Sequence, residues 1–142
     1  MAEHEAVETA PLDLAIRALR ARDRSAAEID ARLAGRGVGE AERAEALETL
    51  ARIGYLDDER FARTRAEQLA ARGSGNALIR HDLAGRGLAG EHVDVALASL
   101  APEAERAAKI VQRRGGGPKT ARYLASKGFG EDGLAMAVAD EG

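Results

Sequence analysis

One short phrase occurs three times in this chain and limits what it can fold into. Leu33-Ala-Gly-Arg-Gly-Val38 returns as Leu83-Ala-Gly-Arg-Gly-Leu88 and again as Leu124-Ala-Ser-Lys-Gly-Phe129. The match runs past the glycines. Eight and nine residues after the last apolar position stand Ala46-Leu47, Ala96-Leu97 and Ala137-Val138. Four residues before the leucine stand Ile29, Ile79 and Thr120. Successive copies begin 50 and then 41 residues apart, so the units differ in length at their joints. A unit this short cannot close a full core alone, so neighbours must dock or share a helix. Such arrays present an extended surface to a large partner, which points to binding more than to catalysis.

The residues between the phrases read as helices. Residues 1–10 are polar, with three glutamates, and are expected to be a disordered lead. Pro11 suits a first helical turn. Leu12, Ala15, Ile16 and Leu19 then recur at helical spacing. Ser25-Ala-Ala-Glu28 has the form of a capping box, with Ile29 and Leu33 inward and glycines 35 and 37 at the helix end. A third helix is expected from Glu40 to Arg52, burying Ala44, Leu47 and Leu50. Gly54-Tyr-Leu-Asp-Asp58 ends the first unit. At this joint around Tyr55, Leu56 and Phe61 are expected to pack between units, and Asp57 or Asp58 to cap the next helix. Phe61, Ala62 and Leu69 should face inward on that helix. Ser74 or Asn76 starts another, with Ile79 and Leu83 inward, and His92 to Leu100 forms the sixth. After Pro102, Ala107, Ile110 and Val111 line one more, Pro118 opens the next, and Leu134, Ala137 and Val138 mark a short last helix. No stretch alternates with period two. The expectation is an all-α chain of three tandem three-helix repeats, 11–56, 57–101 and 102–142, in an elongated arrangement whose curvature is left open. A monomer is expected.

Helix, helix, Gly-rich turn, helix resembles a DNA-reading helix-turn-helix element. The charges oppose that use. The third helix of a unit would enter the groove. It carries Glu40, Glu42, Glu45 and Glu48 in the first unit, Glu91 and Asp94 in the second, and Glu131 and Asp132 in the third. Phosphates would repel all three. Positive charge collects elsewhere. From Arg106 to Gly130 there are seven basic residues and no acidic one: Arg106, Lys109, Arg113, Arg114, Lys119, Arg122 and Lys127. This is either a solvated face or a strip that meets an anionic partner, DNA phosphate or acidic protein. A smaller cluster, Arg60, Arg63, Arg65 and Arg72, follows the Asp pair. Only Tyr123 is available as a stacking aromatic within the strip. These eight residues, Arg60, Arg63, Arg65, Arg72, Arg113, Arg114, Lys119 and Arg122, are the expected partner or DNA contacts. Tyr55, Leu56, Asp57, Asp58 and Phe61 are the expected structural joint.

Several chemistries find no residues. The chain has no cysteine, which excludes disulfides and thiolate metal sites. His4, His81 and His92 lack ligand spacing. Gly115-Gly-Gly-Pro-Lys119 lacks the ending of a phosphate loop and reads as a flexible joint. No catalytic triad or carboxylate pair stands out, so no enzyme, cofactor or metal is expected. No apolar run has membrane-spanning length, and the acidic start is unlike a signal peptide, so a cytoplasmic protein is expected. The net charge of −3 argues against a free-standing polyanion binder.

Three segments together resemble a known family. They are Ser25 to Gly37, Gly54-Tyr-Leu-Asp-Asp-Glu-Arg-Phe-Ala62, and Gly73 to Gly87. They are similar to the RecX family, the regulators of the recombinase RecA, and the likeness extends over about residues 11–142. The Gly-Tyr-Leu-Asp-Asp phrase is its most specific part. The resemblance implies tandem three-helix repeats, in agreement with the pattern above. It also implies binding to RecA, lodging in the groove of the RecA–DNA filament, and inhibition of filament extension, ATP hydrolysis and strand exchange. DNA repair, recombination and the SOS response are the processes it implies. Two readings from the residues stay open beside it: a direct nucleic-acid binder using the 106–127 strip, and a helical-repeat interaction scaffold with an unrelated partner.

Overall fold

The structure is a computed structural model that describes residues 11–139. The expected disordered lead lies outside them. Among the described residues there are nine helices and no strands. They are α1 (Pro11–Ala21), α2 (Ala26–Gly35), α3 (Glu40–Arg52), α4 (Asp58–Ala71), α5 (Asn76–Gly85), α6 (Gly90–Ala98), α7 (Glu103–Arg114), α8 (Pro118–Ser126) and α9 (Glu131–Ala139).

The repeated phrase is a helix stop. In its first copy the Val38 N–H donates to Leu33 O and the Gly37 N–H to Ala34 O, both within 3.1 Å. In its last copy Phe129 and Gly128 make the same pair of bonds to Leu124 O and Ala125 O. This double bond pattern needs a left-handed residue after the helix, which favours glycine. Gly37, Gly87 and Gly128 have φ of +85°, +79° and +90°. The leucine that opens each phrase is buried on the core side, at 33, 83 and 124.

The chain divides into two compact units. One holds the residues up to Phe61 together with Arg86–Leu88; the other holds Ala62–Gly85 and the chain from Ala89 on. In the first, α1, α2 and α3 pack on one another. Ala15 and Ala18 of α1, Ile29 and Leu33 of α2, and Ala46 and Leu50 of α3 form its core, closed by Leu56. Small alanines let α1 approach closely, and the branched chains of α2 fill the remaining space. Ala44, expected inward, is exposed, and Ala46 takes its place. Leu50 anchors the buried stripe of α3, and the residue one turn before it is 46. Phe61 is half-buried and Tyr55 is 49% exposed, so only Leu56 of the expected aromatic-aliphatic joint enters a core.

In the second unit Ala62, Ala66 and Leu69 of α4, Ile79 and Leu83 of α5, and Val93 and Ala96 of α6 are buried. A further cluster joins Ala107, Ile110 and Val111 of α7 with Leu124, Phe129 and Ala137. Thr120 is buried where its counterparts are Ile29 and Ile79. In the short last helix Val138 is 63% exposed, and Ala137 beside it carries the core contact. Between α7 and α8 the glycine joint is a fixed turn at its far end. Gly115 and Gly117 sit at φ +85° and +107°, and the buried Gly117 N–H donates to Ala137 O at 3.1 Å.

Candidate functional site

Two helix N-termini are closed by the same device. In the first unit Ser25 and Glu28 form the expected capping box on α2. One acid beyond it takes part. Asp58 Oδ1 accepts from the Ala26 N–H at 2.8 Å. The Ser25 hydroxyl donates to Arg86 O at 2.6 Å, and Arg86 Nη1 reaches Glu28 Oε2 at 3.1 Å. Gly87 lies so close that a Cβ there would stand 2.4 Å from the Ala27 Cβ. In the second unit the Asn76 N–H at the start of α5 donates to Glu103 Oε2 at 2.7 Å. The Gly75 and Ala77 N–H groups donate to Lys127 O and Gly128 O at 2.7 and 3.1 Å. A Cβ on Gly75 would stand 2.4 Å from the Gly128 carbonyl carbon. Position 75 corresponds to Ser25, fifty residues before it. Losing the side chain there lets the backbones meet directly, where Ser25 bridges with its hydroxyl. In both places an acid takes an orphan donor of a helix start and a glycine turn packs against it; in the second the carbonyls of the turn take two more N–H groups.

The Asp pair therefore divides its work: one of the two caps the following helix, as expected, and the other does not. Asp57 caps α4, its Oδ1 accepting from the Arg60 N–H at 3.0 Å, while Asp58 turns to α2. The sequence carries a signal for this: Asp58 and Glu103 each stand at the first position of a helix. Arg86 and Arg106, which no sequence motif singles out as structural, are both engaged. Arg106 donates to Ser74 O and Ala101 O at 2.9 and 3.0 Å and also meets Asn76 Oδ1. Burial lowers its pKa from the usual arginine value.

The basic candidates sort by what already holds them. Arg65 makes a two-pronged bridge to Asp82 at 3.1 and 3.0 Å, with its side chain only 21% exposed, which occupies its fork inside the molecule. Arg60 is exposed, 3.9 Å from Asp57, and reaches Gly54 O at 3.4 Å. Arg63 is exposed. In the second unit Arg72, Arg113, Arg114, Lys119 and Arg122 are all exposed. The structure brings Arg72 into one surface hollow with Arg113 and Arg114, beside Tyr123. Lys119 and Arg122 do not line it. The Arg114 guanidinium carbon lies 3.7 Å from the centre of the Tyr123 ring, a close cation–π stack. Arg72 and Arg113 stand 41 residues apart in sequence, which hides their convergence. Among the described residues no group of His, Cys, Asp and Glu is arranged to hold a metal ion. No helix among them is long and apolar enough to cross a membrane.

Residues 57–97 match the family model described as RecX, second three-helix domain. A protein of Chromohalobacter salexigens called "Regulatory protein RecX" is 36% identical over 141 residues, covering 93% of each chain. This chain belongs to the RecX family. Another RecX regulatory protein, from Xanthomonas campestris pv. campestris strain B100, is 32% identical over 92% of this chain and 87% of its own. The crystal structure of RecX from Lactobacillus salivarius has the same fold. Its TM-score is 0.80 at 17% identity, over 91% of this chain and 92% of that one. A second RecX crystal structure gives a TM-score of 0.77 at 22% identity, over 91% of this chain and 71% of its own. The all-α fold expected from the sequence is thus the RecX fold, and the family is one of regulatory proteins.

Proposed function

We propose that this chain regulates a RecA-type recombinase by binding the RecA–DNA filament along its groove, limiting filament extension, ATP turnover and strand exchange. The observation that carries this reading is the near full-length similarity to proteins named as RecX regulators. The physics of a repeat chain supports it. A helical polymer offers the same patch at every protomer. In this reading residues 11–56, 57–101 and 102–142 act as three linked contact modules. Each further contact gains from effective concentration, by about 10²–10⁴ overall. The chain then prefers assembled filament to free subunits without any one strong patch. Arg60, Arg63, Arg72, Arg113, Arg114, Lys119 and Arg122 are its proposed contacts, and Arg65 drops out because Asp82 occupies its fork.

The test is the ATPase of RecA on single-stranded DNA with this protein added. Inhibition at amounts well below one molecule per RecA is expected, together with loss of strand exchange. Unchanged turnover at equimolar protein would refute the reading.

A further inference from the structure

The hollow of Arg72, Arg113, Arg114 and Tyr123 has no carboxylate in its lining. Its floor is Gly73 and Ile110, with a Cβ on Gly73 reaching 3.9 Å from Ile110 Cδ1. Two helices, α4 and α7, end at its rim, and arginines in such places ordinarily offset the helix carbonyls. Here several of those carbonyls are already bonded within the backbone. Leu69 O accepts from the Arg72 and Ser74 N–H groups, Ala70 O from Gly73, and Val111 O from Gly115. Neither the Arg72 nor the Arg113 side chain has an ion pair or hydrogen bond among the described residues, and Arg114 has only the Tyr123 ring. Arg113 is shared with an adjoining hollow that adds Lys109 and Arg106 and a single acid, Glu67. Among the described residues, then, Arg72 and Arg113 face one concavity with no ion pair, and Arg114 beside them meets only the Tyr123 ring.

We propose that this hollow is a subsite for single-stranded nucleic acid. Arg72 and Arg113 take a backbone phosphate, and a base lies against the Arg114–Tyr123 stack. A planar fork matches phosphate oxygens two at a time. A carboxylate of an acidic peptide would satisfy the forks too, but it makes no use of the stacked ring, so the nucleic acid is the better match. An unpaired base is required, because only an unstacked base can reach a side-chain platform. The inference rests on the filament reading only in starting from the same contact residues. Bare nucleic acid, with no recombinase present, tests it separately.

The experiment measures fluorescence anisotropy of a labelled oligothymidylate at about 50 and about 200 mM salt. The full chain is compared with an Arg72→Gln/Arg113→Gln/Arg114→Gln triple variant, with Lys119→Gln/Arg122→Gln, and with Tyr123→Phe and Tyr123→Leu. Circular dichroism checks that each remains helical. The triple variant should bind at least about tenfold more weakly, and its salt slope should fall by about 0.7 for each phosphate it no longer neutralises. Tyr123→Phe should bind like the parent and Tyr123→Leu more weakly, which separates stacking from packing. The proposal is overturned by any of four results: no binding by the parent, a triple variant equal to it, an equal loss in the Lys119/Arg122 variant, or competition by polyglutamate as strong as by unlabelled oligothymidylate. Duplex DNA binding as tightly as the single strand would also overturn it. The same variants go into the RecA ATPase assay. A parent that binds the oligonucleotide but leaves RecA turnover unchanged overturns the regulator reading and not the subsite; a parent that inhibits RecA without binding the oligonucleotide overturns the subsite and not the regulator reading.

Discussion

Asp57 and Asp58 are adjacent, identical and assigned to different helices. Asp57 closes the start of its own helix, and Asp58 closes α2 through the Ala26 N–H. Replacing either by alanine removes one cap, at about 1 kcal/mol for Asp57 and about 1–2 kcal/mol for the less exposed Asp58. Chemical unfolding of the two single variants measures this, and equal, negligible losses would remove the structural role. Phe61 is half-buried, with the Arg86 guanidinium carbon 6.0 Å from its ring centre. Its truncation to alanine should therefore cost about 1–2 kcal/mol, below the range for a fully buried ring. The glycines of the repeated phrase allow a sharper comparison. All three have positive φ, so alanine costs about 1–2 kcal/mol of strain at each. Only the surroundings differ. A Cβ on Gly37 meets nothing within 4 Å, one on Gly87 meets the Ala27 methyl, and one on Gly128 lies 2.7 Å from the Leu78 backbone nitrogen. A methyl can yield where a backbone cannot. Stability should fall in the order Gly37→Ala, Gly87→Ala, Gly128→Ala, the last by at least about 3 kcal/mol. Equal losses at all three would mean that strain alone matters and that close docking contributes nothing.

At the scale of elements, legibility follows the presence of a capping or stopping side chain. Pro11 and Pro118 open α1 and α8 as expected, and the Ser25–Glu28 box opens α2. The sequence pattern puts the sixth helix two residues late, at His92 to Leu100, where the structure has Gly90–Ala98. Its start has Ala89 and no side-chain cap, so the sequence holds no signal for the boundary. The inward face is hardest to read in α3 and α9, where alanine is common on every side. In such helices hydrophobicity does not choose a stripe; the partner helix does. That is why Ala46 stands in the core instead of Ala44, and why Val138 lies in solvent. The basic residues show the same limit. Charge runs are visible in the sequence, but the bridge from Arg65 to Asp82 and the meeting of Arg72 with Arg113 depend on contacts made only after folding.

For the whole molecule, a regulator that gains from several linked contacts needs its modules held in register. Glu103 is the residue on which this can be tested. Its two carboxylate oxygens accept from the Asn76 and Gly130 N–H groups, at 2.7 and 3.0 Å, so one side chain ties α7 to the starts of α5 and α9. Glu103→Ala strands both donors. Each unsatisfied buried donor costs about 1–3 kcal/mol, and partial access of water to this site keeps the total near about 2–4 kcal/mol. Glu103→Gln keeps one acceptor and should lose about half as much. The loss should be local in hydrogen exchange, with faster exchange at Asn76, Ala77 and Gly130 and little change in the Leu33–Leu50 core of the first unit. If linked contacts drive inhibition, loosening this tie lowers the effective concentration of the later contacts without touching any exposed arginine. The ATPase titration should then shift to higher protein for Glu103→Ala, with Glu103→Gln between it and the parent. A variant that exchanges faster at these amides yet inhibits RecA at the parent's concentration would show that inhibition needs no fixed spacing, and a single patch would then have to carry the activity.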